Sequence, residues 1–145
     1  MMTKEVTPIK ILVVGGGARE HTLIWKLAQS PKVSEIYAAP GNAGTAGIAH
    51  NLDIHDTDLP ALAKAVQQNH IELVVVGPEA PLAAGIVDHF IATGVPIFGP
   101  TSHAARIESS KTFSESLMQK YGIPCAKGAR PSDGYRTGRP ERRGV

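Results

Sequence analysis

The chain has 145 residues, 42% of them hydrophobic and 19% charged, which is enough for one domain with an aliphatic core. It has no apolar run of the roughly 18 residues that a membrane helix needs, and its single cysteine, Cys125, excludes an internal disulfide. Residues 127–145 carry six basic and two acidic side chains, whereas the rest carries nine and 11, so the body is slightly acidic. We therefore expect a cytoplasmic protein without a nucleic-acid or membrane partner.

Strand and helix patterns alternate along the first hundred residues. The predicted strands are 9–14, 34–39, 49–54, 72–76 and 96–99, and the predicted helices between them are 19–30, 59–69 and 81–93. This order is typical of an α/β, Rossmann-like parallel sheet with helices on both faces. Ligands bind such sheets where the loops after the strands converge on one edge. We therefore expect the three Gly-rich loops at 15–18, 40–45 and 77–80 to lie together.

Two more helical segments follow, at 101–108 and 110–121, and a strand could begin near Ile123. From residue 127 onward the sequence consists mainly of Arg, Gly, Pro and polar residues, and it shows no periodic pattern of apolar side chains. Such a segment buries too little apolar surface to order itself, so residues 127–145 are predicted to be a disordered basic tail.

The first loop favours phosphate binding. Gly15, Gly16 and Gly17 let backbone N–H groups approach an anion closely, and Ala18 leads into a helix whose N-terminus attracts negative charge. Arg19 could add two hydrogen bonds to the phosphate. The alternative is a tight strand–helix turn with a surface arginine.

A dinucleotide is a poor match for this loop. The fingerprint G-x-G-x-x-G places a third glycine where this chain has Glu20, and the second predicted strand ends without the acidic residue that binds a ribose diol. A dinucleotide-binding oxidoreductase nevertheless stays a rival interpretation.

The second and third loops offer groups for a ribose. Gly41 and Asn42 stand in the second loop, where ordinary turn chemistry is the competing explanation. Glu79 in the third loop could accept hydrogen bonds from two hydroxyls, or could simply stabilise the start of the next helix.

No nucleophile–base pair is visible, so no catalytic residue is predicted. No metal site is predicted either, because the histidines show no metal-ligand spacing and His21 is interpreted as a partly exposed helix residue.

Five motifs together resemble one family. They are ILVVGGGAREHTL at 11–23, APGNAGT at 39–45, VVGPEAPL at 75–82, FGPT at 98–101 and SSKTF at 109–113. In this order and spacing they resemble the phosphoribosylamine–glycine ligases, which belong to the ATP-grasp superfamily, and the resemblance covers residues 9–126.

The resemblance implies a reaction and assigns a role to each segment of the chain. Such ligases join glycine to 5-phosphoribosylamine with ATP and Mg²⁺ or Mn²⁺, through an acyl phosphate of glycine, in purine biosynthesis, and a monomer is expected. Residues 8–100 would be the phosphoribosyl-binding domain and 101–126 the start of the ATP-grasp region. Gly15 to Glu20, Gly41, Asn42 and Glu79 would bind substrate phosphate and ribose, and Lys111 would reach ATP phosphates.

Two features depart from the family. Ala18 stands where glycine is usual, which is tolerable if its φ is negative. The segment 127–145 replaces the expected continuation, and because Arg, Gly, Pro and Ala all have GC-rich codons, we hypothesise a frameshift near codon 127 in a GC-rich gene. We therefore expect this chain to be inactive by itself. An interaction domain with a basic arm is the other alternative, as is an unstable fragment that exposes Phe113, Leu117 and Met118.

Overall fold

Five parallel strands form the sheet in a computed structural model that describes residues 7–125. The strands are β1 (Ile9–Gly15), β2 (Val33–Pro40), β3 (His50–Asn51), β4 (Leu73–Val76) and β5 (Ile97–Phe98), in the spatial order β3-β2-β1-β4-β5. The chain runs outward from β1 to β3 and then crosses to β4 on the other side of β1. The strand order therefore switches direction between β1 and β4, the place where such sheets bind ligands.

Helices cover both faces of this sheet, so the predicted α/β architecture is confirmed. The helices around the sheet are α1 (Ala18–Leu27), α2 (Leu59–Gln68), α3 (Glu79–Ala83), α4 (Ile86–Thr93) and α5 (Ser102–Ser109), with a 3-10 turn at Thr45–Gly47. A sixth helix, α6 (Lys111–Lys120), follows them in the sequence. α2 shows why a helix starts where it does. The Asp58 carboxylate accepts the Ala61 N–H at 3.1 Å, and Pro60 fits the first turn because it has no N–H to satisfy.

Strand β1 lies at the centre and is buried on both faces. Ile11 and Val13 point into a small cluster closed by Ile24 of α1. Leu12 and Val14 point into a larger cluster with side chains of α2, α4 and α5. This two-sided burial explains the near-continuous aliphatic sequence of the central strands.

Three predicted elements differ from the structure. The segment 81–93, predicted as one helix, is two helices, since Gly85 takes a left-handed conformation with φ of 88° that breaks the helical path. The third strand, predicted at 49–54, pairs only at His50 and Asn51. α1 also ends at Leu27, before the predicted end at residue 30.

Polar side chains secure the outer parts of the fold. Lys10 Nζ lies 2.7 Å from Glu35 Oε1, and Tyr37 Oη donates to Glu35 Oε2 at 2.8 Å. These bonds raise the pKa of Lys10 and Tyr37 and lower the pKa of Glu35. Between α4 and α5, Ser102 N–H donates to Asp88 Oδ2 at 2.8 Å and lowers the pKa of Asp88.

The chain divides into two units between Ser109 and Ser110. The second unit contains α6, which is capped by Ser110 Oγ accepting the Phe113 N–H at 3.4 Å. No α6 residue is fully buried, and Phe113, Leu117 and Met118 are half-buried rather than exposed. The predicted disordered tail, 127–145, lies outside the described residues.

Candidate functional site

The loops after β1, β2 and β4 meet at the carboxyl edge of the sheet. Gly41 N–H donates to the Gly15 carbonyl at 3.3 Å, and Gly77 N–H donates to the Val14 carbonyl at 3.1 Å. A side chain at Gly16 would put its Cβ 2.7 Å from the Gly41 carbonyl oxygen. The three Gly-rich loops therefore lie together, as the sequence predicted, and glycine is what permits the backbones to approach so closely.

Helix α1 begins at this edge. Gly17 is its extended N-cap residue, and Ala18 and Arg19 form its exposed first turn. The N–H groups of a first turn have no partner within the helix and point along its axis toward the loops, together with the positive end of the helix dipole. Among the described residues only His70 combines a side chain with a positive φ, so the Ala18 methyl group is tolerated.

Asn42 joins the second loop to the first. Its Nδ2 donates to the Gly16 carbonyl at 3.0 Å, while its Oδ1 accepts the N–H groups of Gly44 and Thr45 at 2.8 and 3.1 Å. The side chain predicted to contact ribose is thus engaged in holding the loop. Its hydrogen bonds fix the position of the backbone of Gly41 next to the first loop.

Thr45 and Asn51 complete this connection, and sequence reasoning missed both. The fully buried Thr45 Oγ1 accepts the Asn42 N–H at 2.8 Å and lies 2.8 Å from Asn51 Oδ1. Asn51 Nδ2 donates to the Asn42 carbonyl at 2.8 Å. The only available signal was that both residues are short polar side chains flanking a loop, which is too common a pattern to single them out.

Glu20 is the one buried acidic side chain of this edge, 3% exposed. Its Oε2 accepts the Gly17 N–H at 2.7 Å, whereas its Oε1 is buried without a hydrogen bond. Three glycines surround it, since a Cβ at Gly15, Gly17 or Gly77 would collide with its side chain. Glu20 was predicted to contact substrate, but the structure places its carboxylate inside the loop.

Arg19 is the cation of the site. Its side chain is 64% exposed, and its Nε lies 3.7 Å from Glu20 Oε1, which is an ion pair too long for a hydrogen bond. An exposed guanidinium beside free first-turn N–H groups can reach an anion at low cost, because few contacts must be broken. The negative Glu20 keeps the positive charge near the loop.

Glu79 stands in the third loop, where α3 begins, and is exposed. It takes no part in the hydrogen bonds that join the first two loops, so its carboxylate faces solvent. His21, interpreted from sequence as partly exposed, is half-buried and packs on Gly44, where a Cβ would meet its ring. Lys111 begins α6 in the second unit and is exposed.

Two hollows lie near these loops. One of about 260 Å³ is lined by His21, Thr22 and Trp25 on α1. Another of about 390 Å³ lies between the start of β2 and residues 46–50, and it lacks the glycine-rich backbone of the loop edge. No group of three or more possible metal ligands occurs among residues 7–125, and no helix there is long and apolar enough to cross a membrane.

The order of the five parallel strands, with helices on both faces, places the chain in the class of Rossmann-like α/β domains. Residues 9–108 match the family described as phosphoribosylglycinamide synthetase, N domain. The chain belongs to this family, as the sequence motifs had indicated.

Similar proteins from several organisms carry names that fit this family. The chain is 52% identical over 121 residues to the phosphoribosylamine–glycine ligase of Vibrio cholerae and 55% identical over 119 residues to that of Ralstonia nicotianae. It covers 28% of each relative, while 81% and 82% of this chain is matched. It is also 53% identical over 120 residues to the trifunctional purine biosynthetic protein adenosine-3 of Gallus gallus, covering 12% of that protein.

Solved structures show the same fold. The phosphoribosylamine–glycine ligase of Thermotoga maritima superposes with a TM-score of 0.57 at 29% identity, over 82% of this chain and 26% of that one. The N5-carboxyaminoimidazole synthase of Aspergillus clavatus, solved with ADP and 5-aminoimidazole ribonucleotide, gives a TM-score of 0.63 at 20% identity, over 83% of this chain and 31% of that one. The second likeness speaks for the fold alone.

Proposed function

We propose that this chain is the phosphoribosyl-binding part of a phosphoribosylamine–glycine ligase. The observation that carries the proposal is the meeting of three Gly-rich loops, the N-terminus of α1 and the exposed Arg19 at one edge of the sheet. The names of the relatives supply the substrate class, since they are ligases of phosphoribosylamine and glycine.

The substrate phosphate binds at the start of α1. The first-turn N–H groups of Ala18 and Arg19 face it, and the guanidinium of Arg19 supplies charge-assisted hydrogen bonds. Gly15, Gly16 and Gly17 keep the backbone free of side chains that would stand in the way. Glu20 holds the Gly17 N–H and so positions the loop rather than touching the phosphate.

The ribose lies between the second and third loops. Glu79 is exposed after β4 and accepts hydrogen bonds from the ribose hydroxyls. Gly41 presents backbone groups, and Asn42 holds that backbone against Gly16.

The complete reaction is assigned to the ligase as a whole. It joins glycine to 5-phosphoribosylamine, consumes ATP and gives glycinamide ribonucleotide in purine biosynthesis. Lys111 in α6 is proposed to reach ATP phosphates. The cofactor is ATP with Mg²⁺ or Mn²⁺, and since the described residues hold no group of metal ligands, no step is assigned to the metal here.

Calorimetric titration with ribose 5-phosphate tests the site. Arg19→Ala is expected to weaken binding by roughly ten- to hundredfold, the loss of hydrogen bonds to a charged group. Lys26→Ala is the matched control, because Lys26 is an exposed cation in the last turn of the same helix. Equal affinities of the two variants would refute the assignment, as would absence of binding by the unaltered chain.

A further inference from the structure

Glu20 stands at the third glycine position of a dinucleotide fingerprint, G-x-G-x-x-G, read from Gly15. In dinucleotide-binding loops that glycine gives room for close packing of helix on strand, and the second one lets the backbone approach the pyrophosphate. Here the room is filled by a carboxylate. Its side chain lies against Gly15, Gly17 and Gly77, at positions where any Cβ would collide with it.

The carboxylate also takes a hydrogen-bond donor away from ligands. Glu20 Oε2 accepts the N–H of Gly17 at 2.7 Å, a short charge-assisted bond. Gly17 is the second glycine of the fingerprint, so its N–H is a group that a pyrophosphate would approach. The carboxylate of Glu20 therefore already occupies the Gly17 N–H that the second phosphate of a dinucleotide would use.

The other carboxylate oxygen keeps its charge close to the loop. Oε1 is buried and accepts no hydrogen bond, and the nearest cation, Arg19 Nε, lies 3.7 Å away. A single phosphate on the outer N–H groups can share Arg19 with Glu20. A second phosphate near Gly17 would come close to the buried carboxylate, and the repulsion between like charges is poorly screened when one of them is buried.

We propose that Glu20 is a specificity-determining residue that restricts the loop to ligands with one phosphate group and excludes dinucleotides. The proposal rests on the proposed function, because it assumes that the loop binds a phosphate at all. A neutral Gln at this position could accept the same Gly17 N–H, so the hydrogen bond alone does not explain why the buried side chain is a carboxylate.

The test compares ribose 5-phosphate with ADP-ribose, which carries the same ribose on a diphosphate, by calorimetric titration of the full chain. The unaltered protein is expected to bind ADP-ribose at least about tenfold more weakly, the cost of one unfavourable charge contact. Glu20→Ala empties the space and frees the Gly17 N–H, so the preference should fall by about tenfold. Glu20→Gln keeps the shape and the hydrogen bond but removes the charge, and should reduce the preference by about threefold.

Glu72→Gln is the control, because this glutamate lies at the opposite edge of the sheet and its Oε2 accepts the Lys10 N–H at 3.0 Å. Thermal unfolding of each variant shows whether it is folded, and if Glu20→Ala is not, Glu20→Gln decides. A folded Glu20→Gln protein with the unaltered preference overturns the inference. If the unaltered chain binds ribose 5-phosphate, such a result leaves the proposed function standing. If it binds none, the proposed function and this inference both fail.

Discussion

The loops that form the candidate site are built in two different ways. The first two loops are joined by the side chain of Asn42, which donates to the Gly16 carbonyl, and Thr45 and Asn51 in turn hold Asn42 in place. The third loop makes a backbone bond from Gly77 to β1 and packs Gly77 on the Glu20 carboxylate, while its Glu79 stays exposed.

This difference separates residues that position the loops from residues that can contact a ligand. Buried polar groups that have partners fix a geometry, and breaking them leaves donors or acceptors unsatisfied. Exposed charged groups such as Arg19 and Glu79 contribute little to folding and are free to meet a ligand. Substitutions in the first class should therefore change stability, and substitutions in the second should change affinity alone.

The largest effect is expected for Gly77→Ala. The new Cβ would collide with the Glu20 side chain, which already packs against Gly15 and Gly17. We expect a loss of about 3 kcal/mol in the free energy of unfolding, as for an overpacked core. Denaturant titration measures it, with Gly47→Ala as the control, because no atom lies within 4 Å of a Cβ at Gly47. Equal stability of the two variants would contradict the packing described for Glu20.

A smaller effect is expected for Asn42→Ala. The Gly44 and Thr45 N–H groups and the Gly16 carbonyl would lose their partner. Stability should fall by about 2 kcal/mol and ribose 5-phosphate affinity by several-fold, because the second loop would no longer be held. Asn69→Ala, which removes one bond to the Ala65 carbonyl at the end of α2, should leave binding unchanged. Unaltered binding by Asn42→Ala would show that the loop connection is dispensable.

The smallest effect is expected for Glu79→Gln. Its side chain is exposed, so stability should change by less than about 0.5 kcal/mol. Affinity for ribose 5-phosphate should fall about threefold through the weakened hydrogen bonds to the hydroxyls. Affinity for 2-deoxyribose 5-phosphate, which lacks one hydroxyl, should fall less. Equal losses for both sugars would argue against a contact of Glu79 with the ribose diol.

Much of this arrangement could be predicted from sequence, because it follows from short-range pattern. Alternating aliphatic strands and amphipathic helices imply a parallel sheet, and a parallel sheet brings loops after its strands to one edge. The exposed positions of Arg19 and Glu79 follow from their charge and from their place in the first turn of a helix.

The remaining features depend on contacts between distant residues. A glutamate in the first turn of a helix is ordinarily exposed, and only the three-dimensional proximity of Gly77 shows that Glu20 is enclosed. Asn42 was predicted to face a ligand because its partners at Gly16 and Asn51 are remote in sequence. The break between α3 and α4 at Gly85 escaped prediction, since an isolated glycine is often tolerated within a helix.

Amide chemical shifts of the ¹⁵N-labelled chain, recorded during titration with ribose 5-phosphate, test the central claim most directly. Binding at the carboxyl edge predicts saturable shifts for the amides of residues 16–19 and 41–44 and for Glu79, with residues of the amino edge, such as Lys10 and Glu72, unmoved. Saturable shifts confined to the hollow between the start of β2 and residues 46–50, or no saturable shift at all, would contradict a phosphoribosyl site at the three loops.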